Sequence, residues 1–346
     1  MRSNDAPRRF LVTGGAGFIG SHLVSALLAR GAEVVVLDDL SSGSRQNLDA
    51  ALVDADEAGG LEVHGAVSAP AVERLTVIEA SLLDYKALAH AVEGAEAVLH
   101  QAAIPSVPRS FADPVATMRA NVEGTTALLE ECRKAGVRRV AIASSSSVYG
   151  DTPRLPKDES MVPSPMSPYA LSKLSTEHAG QIFSSTYGLD VCALRYFNIF
   201  GPRQDPTSEY SAVIPRFITA IREGEQPVIY GDGEQSRDFT FIDNVVSANL
   251  RAVGVEGIER DGASFNALNI GCGDRFTLLG LIATLNEIMG TNMQPRHAEA
   301  RSGDVRHSHA DITLARQVIG YEPLVGFEEG LRRTVSFFAD VAVPTI

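Results

Sequence analysis

The sequence predicts an α/β protein: a doubly wound parallel sheet, followed by a smaller, mixed α/β C-terminal lobe. Three observations carry that expectation. Short β-branched runs alternate with segments apolar at three- and four-residue intervals, a glycine-rich turn joins the first run to the first helical segment, and beyond Gly201 a series of prolines breaks the pattern. Strand, helix, strand, repeated, is how a chain covers both faces of a parallel sheet.

The strands are expected at Phe10–Thr13, Val34–Leu37, Leu75–Ile78, Ala97–Leu99 and Val140–Ala143, each a short apolar run suited to burial on both faces. Helices are expected at Ser21–Arg30, Tyr85–Val92 and Thr117–Ala135, and 54–71, rich in Gly and Ala without periodicity, reads as a surface excursion. Pro202, Pro206, Pro215 and Pro227 then mark a lobe of short, irregular elements, a usual setting for substrate recognition. The domains expected are 8–201, to which 237–273 returns, and a lobe made of 202–236 and 274–340.

The 346 residues suffice for one large or two modest domains, with 45% hydrophobic and 21% charged residues. A net charge of -13 argues against a nucleic-acid or anionic-membrane partner, both of which want a basic face. It leaves room for an anionic ligand held by a few arginines. Cys132, Cys192 and Cys272 form no CxxC pair, so neither a disulfide framework nor a zinc site is suggested. His307 and His309 share a face without a third ligand, and no metal is expected. His100 and Cys192 read as core residues. The opening MRSNDAPRRF does not read as a signal peptide, and no run approaches the ~20 apolar residues of a membrane helix, so a cytoplasmic location is expected.

Gly14, Gly17 and Gly20 bracket Phe18 and Ile19 between the first strand and the first helix. Glycine permits the tight turn and lets backbone N–H groups at a helix N-terminus approach a pyrophosphate. Asp38, at the end of the second strand, can accept hydrogen bonds from adenosine ribose hydroxyls, with Asp39 beside it. A carboxylate there repels the 2′-phosphate of NADP, which favours NAD.

Tyr169 and Lys173 stand four residues apart, on one face if the segment is helical, and Pro168 suits a helix start. Ser144–Ser147 follow the fifth strand at the carboxyl end of the sheet, where α/β proteins bind ligands. A phenol of pKa ~10 is a poor base near neutrality, and a neighbouring ammonium and a positive nicotinamide both favour its phenolate.

With these motifs in order the chain resembles the extended short-chain dehydrogenase/reductase family, in particular its nucleotide-sugar 4-epimerases. The resemblance is carried by TGGAGFIG, Gln101-Ala-Ala, Asn121, SSSSVYG, SPYALSK, the Leu194–Gly201 run, Gly231-Asp-Gly, Arg237-Asp-Phe and Arg301-Ser-Gly-Asp304. It implies a Rossmann-like fold, a bound NAD, a UDP-sugar substrate, and a homodimer built on Thr117–Ala135 and the Tyr169 helix. It makes Tyr169 the base, Lys173 its partner on the nicotinamide ribose, and Ser145 the catalytic hydroxyl. Further cofactor contacts would come from Ser42, Gly43, Leu82, Gln101, Ala102, Ala103 and Asn121, with Tyr196 flanking the nicotinamide. Ser81 stands where the family usually has the aspartate that contacts adenine, which puts that contact in doubt.

On the substrate side, the resemblance places Asn198, Arg237 and Arg301 on the diphosphate, arginine being suited to bidentate phosphate contacts. Asp304 would bind the uridine ribose. Val213, Ile214, Phe217, Val228 and Tyr230 would form the uracil slot, and Ser106 and Ser147 would reach the sugar. Dehydratases of this kind carry Asp-Glu where this chain has Ser146-Ser147, and decarboxylases keep the Glu, so 4-epimerisation through a transient 4-keto sugar is the economical reading. Ser308 falls where enzymes restricted to UDP-glucose carry a bulky Tyr, and so leaves room for a C2 acetamido group. This favours UDP-N-acetylglucosamine and UDP-N-acetylgalactosamine, with UDP-glucose slower. The rival is UDP-glucuronate or its N-acetylated form, with Arg109 or Arg203 as carboxylate partners. From other classes, a non-catalytic NAD-binding sensor or scaffold loses weight because Tyr169, Lys173 and the serines are all present, and Asp38 speaks against an NADPH-consuming keto-sugar reductase.

Overall fold

The computed structural model describes residues 8–59, 70–206, 213–258, 260, 262–299 and 305–340. In chain order the elements are β1 (Arg9–Thr13), α1 (Phe18–Ala29), β2 (Glu33–Asp38), α2 (Arg45–Gly59), β3 (Leu75–Glu79), α3 (Tyr85–Val92), β4 (Ala97–His100), α4 (Val107–Ala112), α5 (Pro114–Met118), α6 (Gly124–Ala135), β5 (Arg139–Ser145), α7 (Pro168–Tyr187) and β6 (Asp190–Tyr196). They continue with β7 (Ile199–Phe200), α8 (Val213–Arg222), β8 (Val228–Tyr230), β9 (Ser236–Arg237), β10 (Thr240–Phe241), α9 (Ile242–Ala252), β11 (Phe265–Ile270), β12 (Phe276–Thr277), α10 (Leu278–Met289), β13 (Arg296–Ala298), α11 (Thr313–Ile319) and α12 (Phe327–Asp340).

Seven strands form one sheet in the order β11-β6-β5-β4-β1-β2-β3, a Rossmann-like, doubly wound arrangement. The crossover from β3 back to β4 on the other side of β1 is the point where the strand order reverses, the site at which such sheets bind ligands. The parallel registers Thr13 with Leu37, Thr13 with His100, and His100 with Ile142 bring the carboxyl ends of β1, β2, β4 and β5 to one edge. On one face Leu11, Val35, Val98 and Val140 pack with Leu88 of α3 and Leu128, Leu129 and Cys132 of α6, all buried.

All five predicted strands are present, each extended by one to three residues, and α3 has the predicted ends. Two segments differ. Residues 54–59 belong to α2, because Leu48, Ala51 and Ala55 give that helix a buried stripe that the polar residues between them disguise. The predicted helix Thr117–Ala135 is three pieces, α5, a π-helical turn at Arg119–Glu123 and α6. A π turn adds a residue to the helical repeat, and here it carries Asn121.

The chain divides into two compact units. One holds the described residues up to Ser144 together with Ser167–Leu194 and Val246–Leu268, and the other holds Ser145–Met166, Arg195–Val245 and the described residues from Asn269 on. The division differs from the expected 8–201 and 237–273, since the turn after β5 and the end of β6 pack with the second unit. That unit has an aromatic core: Phe327 stacks on Phe239 and Phe276, with ring centroids 5.5 and 4.0 Å apart, and Phe200 packs edge-on to Phe241. Past Gly201 the elements are not uniformly short, as α10 and α12 run to 12 and 14 residues.

Candidate active site

In the first unit, the turn between β1 and α1 is built as the glycines suggest. Gly14 takes φ +68, and a Cβ there would meet the Ala102 backbone nitrogen at 2.6 Å, while a Cβ on Gly20 would run into the Gly14 carbonyl. Gly17 is the N-cap of α1 and offers no side-chain acceptor, and the first turn carries no acidic residue. The N-terminal N–H groups around Phe18 and Ile19 are therefore left to an external acceptor. Asp38 is buried and braces this loop, accepting from Ala16 N at 2.9 Å and Leu40 N at 2.9 Å. Burial raises its carboxyl pKa, and those two backbone donors oppose the shift. Asp39 and Ser42 are exposed beside it, and Gly43 lies against Ala16 so closely that a Cβ would sit 2.9 Å from its methyl group. A pyrophosphate flanked by an adenosine ribose fits this cradle of bare N–H groups and a fixed carboxylate.

The neighbouring strand ends complete the edge. Ala102 N donates to Thr13 Oγ1 at 3.3 Å, Gln101 Nε2 donates to Asn249 Oδ1 at 3.0 Å, and Ala103 is half-buried. Leu82 is buried against α6, where a Cβ on Gly124 would meet it at 2.9 Å, and Ser81 Oγ accepts from Leu83 N. Asn121 is fully buried with its amide committed to the protein: Oδ1 accepts from Ile104 N at 2.8 Å and Nδ2 donates to Ser172 Oγ at 2.9 Å. The structure thus gives Asn121 a bracing role toward the loop after β4 and toward α7. Ser106 caps α4, accepting from Arg109 N.

α7 begins with Ser167 as N-cap, its Oγ accepting from Ala170 N at 3.1 Å, with Pro168 at the first position, and ends at Gly188 in the left-handed region. Tyr169 and Lys173 are consequently one turn apart near its start. Tyr169 is half-buried, and Lys173 Nζ lies 5.9 Å from its ring centroid. The ammonium is buried and donates to Ala143 O at 2.7 Å. Loss of hydration lowers its pKa to about 8. A second buried pair, unanticipated from the sequence, ties the same elements: Ser144 Oγ donates to Glu177 Oε1 at 2.5 Å. His100 is fully satisfied, Nδ1 against Thr13 Oγ1 at 2.6 Å and Nε2 against Thr125 Oγ1 at 2.8 Å, and burial lowers its pKa to about 3.

In the second unit, Ser145 closes β5 and accepts from Ser147 N at 3.2 Å, and the hydroxyls of the two serines are 2.9 Å apart. The turn ends at buried Tyr149, whose OH accepts from Arg195 Nη1 at 2.8 Å and donates to Asn269 Oδ1 at 2.7 Å. Tyr196 is buried at the end of β6.

The same unit holds a cavity of about 220 Å³. It brings together seven of the predicted substrate residues: Asn198, Val213, Ile214, Phe217, Val228, Tyr230 and Arg237. Asn198, at φ +31, and Arg237 are polar members of its lining, and Val213, Ile214, Phe217 and Val228 are apolar ones. Arg216 and Gln235 also line it and were not anticipated. A cation at Arg216, on a helix whose buried face is Ile214, Phe217, Ile218 and Ile221, was the signal available in the sequence. Ser308 is buried, donating its backbone N–H to Ser236 O at 3.0 Å, and is not among the residues lining that cavity. His307 Nδ1 meets Ser236 Oγ at 2.8 Å, and His309 Nε2 meets Gly273 O at 2.9 Å. Arg301 and Asp304 lie outside the described residues.

Comparison with known proteins agrees with this geometry. A model of the NAD dependent epimerase/dehydratase family matches residues 10–271. A UDP-glucose 4-epimerase of Mycolicibacterium smegmatis is 39% identical over 332 residues, 95% of this chain and 98% of that one. Among solved structures, the UDP-N-acetylglucosamine 4-epimerase of Methanobrevibacter ruminantium in complex with UDP-N-acetylmuramic acid superposes with a TM-score of 0.85 at 38% identity, over 96% of this chain and 98% of that one. The Thermus thermophilus UDP-glucose 4-epimerase in complex with NAD gives a TM-score of 0.80 at 33% identity, over 96% of this chain and all of that one. With its glycine turn, its Tyr169–Lys173 pair and these matches over nearly its whole length, the chain belongs to the NAD dependent epimerase/dehydratase family.

Proposed function

We propose that this protein is an NAD-dependent UDP-sugar 4-epimerase whose preferred pair is UDP-N-acetylglucosamine and UDP-N-acetylgalactosamine, with UDP-glucose a slower substrate. The observation that carries the reading is Lys173, a buried ammonium one helical turn from Tyr169 and anchored on Ala143 at the end of β5. An ammonium so placed stabilises the Tyr169 phenolate, which can then take the proton of the sugar C4 hydroxyl. Ser145 holds that hydroxyl in the reactive orientation, and Ser147 keeps the Ser145 side chain in place. NAD, when bound at the glycine turn and Asp38, supplies a reversible hydride acceptor. Asn198 and Arg237, joined by Arg301, grip the diphosphate while the 4-keto sugar turns over and presents its other face. Tyr169 then returns the proton. Binding strength is concentrated on the nucleotide, because a tightly held sugar could not turn.

The acetamido preference rests on Ser308, a small residue where the resemblance puts a bulky Tyr in enzymes restricted to UDP-glucose. UDP-glucuronate is the second reading, supported by Arg203, a buried guanidinium at φ +63. The protein works in the cytoplasm, and as a homodimer it covers Leu171 and Ile182 on α7 and Val115 on α5, all exposed in the single chain. No helix of the described residues is long and apolar enough to cross a membrane.

The test is to incubate purified protein with UDP-N-acetylglucosamine, adding no cofactor, and follow the anomeric and H4 protons by NMR. Appearance of UDP-N-acetylgalactosamine supports the reading. Conversion of UDP-glucuronate or UDP-glucose alone keeps the mechanism and overturns the role given to Ser308. Inactivity on all three, even with NAD added, overturns the epimerase reading itself.

A further inference from the structure

Asp238 directly follows Arg237, a residue of the second unit's cavity, and is itself fully buried. Three backbone donors from two other segments occupy its carboxylate. Cys272 N donates to Oδ1 at 2.8 Å, and Gly273 N and Ala310 N donate to Oδ2 at 3.0 and 3.1 Å. The packing is close, since a Cβ on Gly271 would meet Asp238 Oδ2 at 2.9 Å and the Ala310 methyl at 2.7 Å. The segment that brings Ala310 also reaches Arg237. It runs parallel to β9, with Ser236 N donating to Arg306 O at 3.1 Å and Ser308 N donating to Ser236 O at 3.0 Å. Arg237 Nη1 donates to the same two carbonyls, Ser236 O at 3.0 Å and Arg306 O at 3.1 Å. One end of the Arg306–Ala310 segment therefore holds the guanidinium, and the Asp238 carboxylate holds the other end.

We propose that Asp238 is a positioning residue for substrate binding: by clamping Ala310 it fixes the Arg306 carbonyl, and through that carbonyl it sets how the Arg237 guanidinium meets the diphosphate. The proposal rests on the UDP-sugar reading above, which puts Arg237 on the diphosphate. A carbonyl aims a guanidinium only as well as its own segment is held. Hydrogen bonds to an ionised acceptor are about twice as strong as neutral ones, so a carboxylate suits the clamp. A planar guanidinium binds two phosphate oxygens at once only in a narrow range of orientations, so a small displacement of Arg306 O costs affinity. The diphosphate is gripped alike before and during hydride transfer. Loss of the clamp therefore weakens ground state and transition state together, which raises KM and spares kcat.

The experiment is calorimetric titration of UDP into holoenzyme carrying Asp238→Ser, Arg237→Met, both or neither, with steady-state kinetics on the UDP-sugar that the wild type converts. Asp238→Ser is expected to weaken UDP binding about ten-fold and to raise KM by a similar factor, with kcat within about three-fold of wild type. In the Arg237→Met background the same substitution is expected to cost less than about two-fold, because no guanidinium is left to aim. Asp238→Asn takes its place if the Ser variant does not fold. Either orientation of its amide turns an N–H against at least one of the three backbone donors, and a loss of about three-fold is then expected. Equal losses of UDP affinity in both backgrounds would mean that Asp238 supports the fold alone, and overturn the proposal while leaving the epimerase reading intact. So does a UDP affinity that either single substitution leaves unchanged, or a loss by the Asp238 variant that falls on kcat and not on KM. Wild-type protein that binds no UDP and converts no UDP-sugar overturns the underlying reading.

Discussion

Lys173 Nζ donates to Ala143 O at 2.7 Å, which fixes the start of α7 to the end of β5 through a buried ammonium. Burial alone lowers its pKa from 10.5 to about 8, so at neutral pH the protein keeps a charge that its surroundings disfavour. A depressed lysine pKa is a stability cost below about pH 8 that disappears once the group is neutral in both folded and unfolded chains. Lys173→Met is expected to cut kcat at least about 100-fold while leaving the protein about 1–2 kcal/mol more stable at pH 7, the relieved desolvation outweighing one hydrogen bond. Turnover assays and urea unfolding at pH 7 check both halves. A variant that is inactive and also less stable would show that Lys173 holds the fold rather than the phenolate. In the wild-type enzyme kcat/KM is expected to decline as pH rises through about 8.

The glycine turn makes a graded prediction. A Cβ on Gly20 would strike the Gly14 carbonyl, backbone that cannot yield without opening the loop, whereas Gly31 at φ +78 has nothing within 4 Å. Gly20→Ala is expected to purify without NAD, and Gly31→Ala to retain it while losing about 1–2 kcal/mol to left-handed strain. Chromatography of nucleotide released on denaturation, with thermal midpoints, separates the two. Equal NAD content in both variants would count against the turn as the cofactor cradle.

Tyr149 OH sits between Arg195 and Asn269 at 2.8 and 2.7 Å, and Arg195 also lies over its ring at 4.9 Å from the centroid. Burial raises the phenol to about 12, so it stays neutral and able to donate to Asn269. Tyr149→Phe removes the acceptor of a charged donor and the donor of a buried amide together. It is expected to cost about 2–4 kcal/mol in stability, and to raise KM less than it lowers kcat, because the turn it anchors carries Ser145. Denaturant titration and steady-state kinetics test this.

What could be read from the sequence was whatever depends on local pattern. The five strands are continuous apolar runs, Ser167 and Pro168 announce α7, and the glycine spacing states its own backbone requirement. What could not be read depends on distant segments meeting. Gln235 looks like an ordinary polar loop residue until Tyr230 O and Leu278 N fix it in the cavity wall. Asn121 sits in a π turn, and its bonds to Ile104 and Ser172 join segments far apart in the sequence. The helical character of residues 54–59 is hidden in the sequence because the buried stripe of α2 is Leu48, Ala51 and Ala55, too small-sided to stand out.

His100 gives the last prediction, and its sign can be worked out. Burial holds its pKa near 3, well below the ordinary 6.5, so between those values the unfolded chain binds a proton that the folded one refuses. Stability from this group is full above about pH 6.5 and is lost as pH falls toward 3. Asp238 acts in the opposite sense. Its carboxyl, accepting from Cys272 N, Gly273 N and Ala310 N, is raised to about 6 by burial, so its contribution grows as pH falls through 6. The two partly cancel in the wild-type protein, and a simple pH scan would understate both. The informative quantity is the difference between wild type and His100→Gln, which removes only the first. The variant is expected to be destabilised at pH 7 by the loss of a contact to Thr13 or Thr125, and to lose about 2 kcal/mol less than wild type between pH 7 and pH 5. Urea unfolding at the two pH values measures this directly, and parallel losses in both proteins would mean that His100 is protonated in the native state.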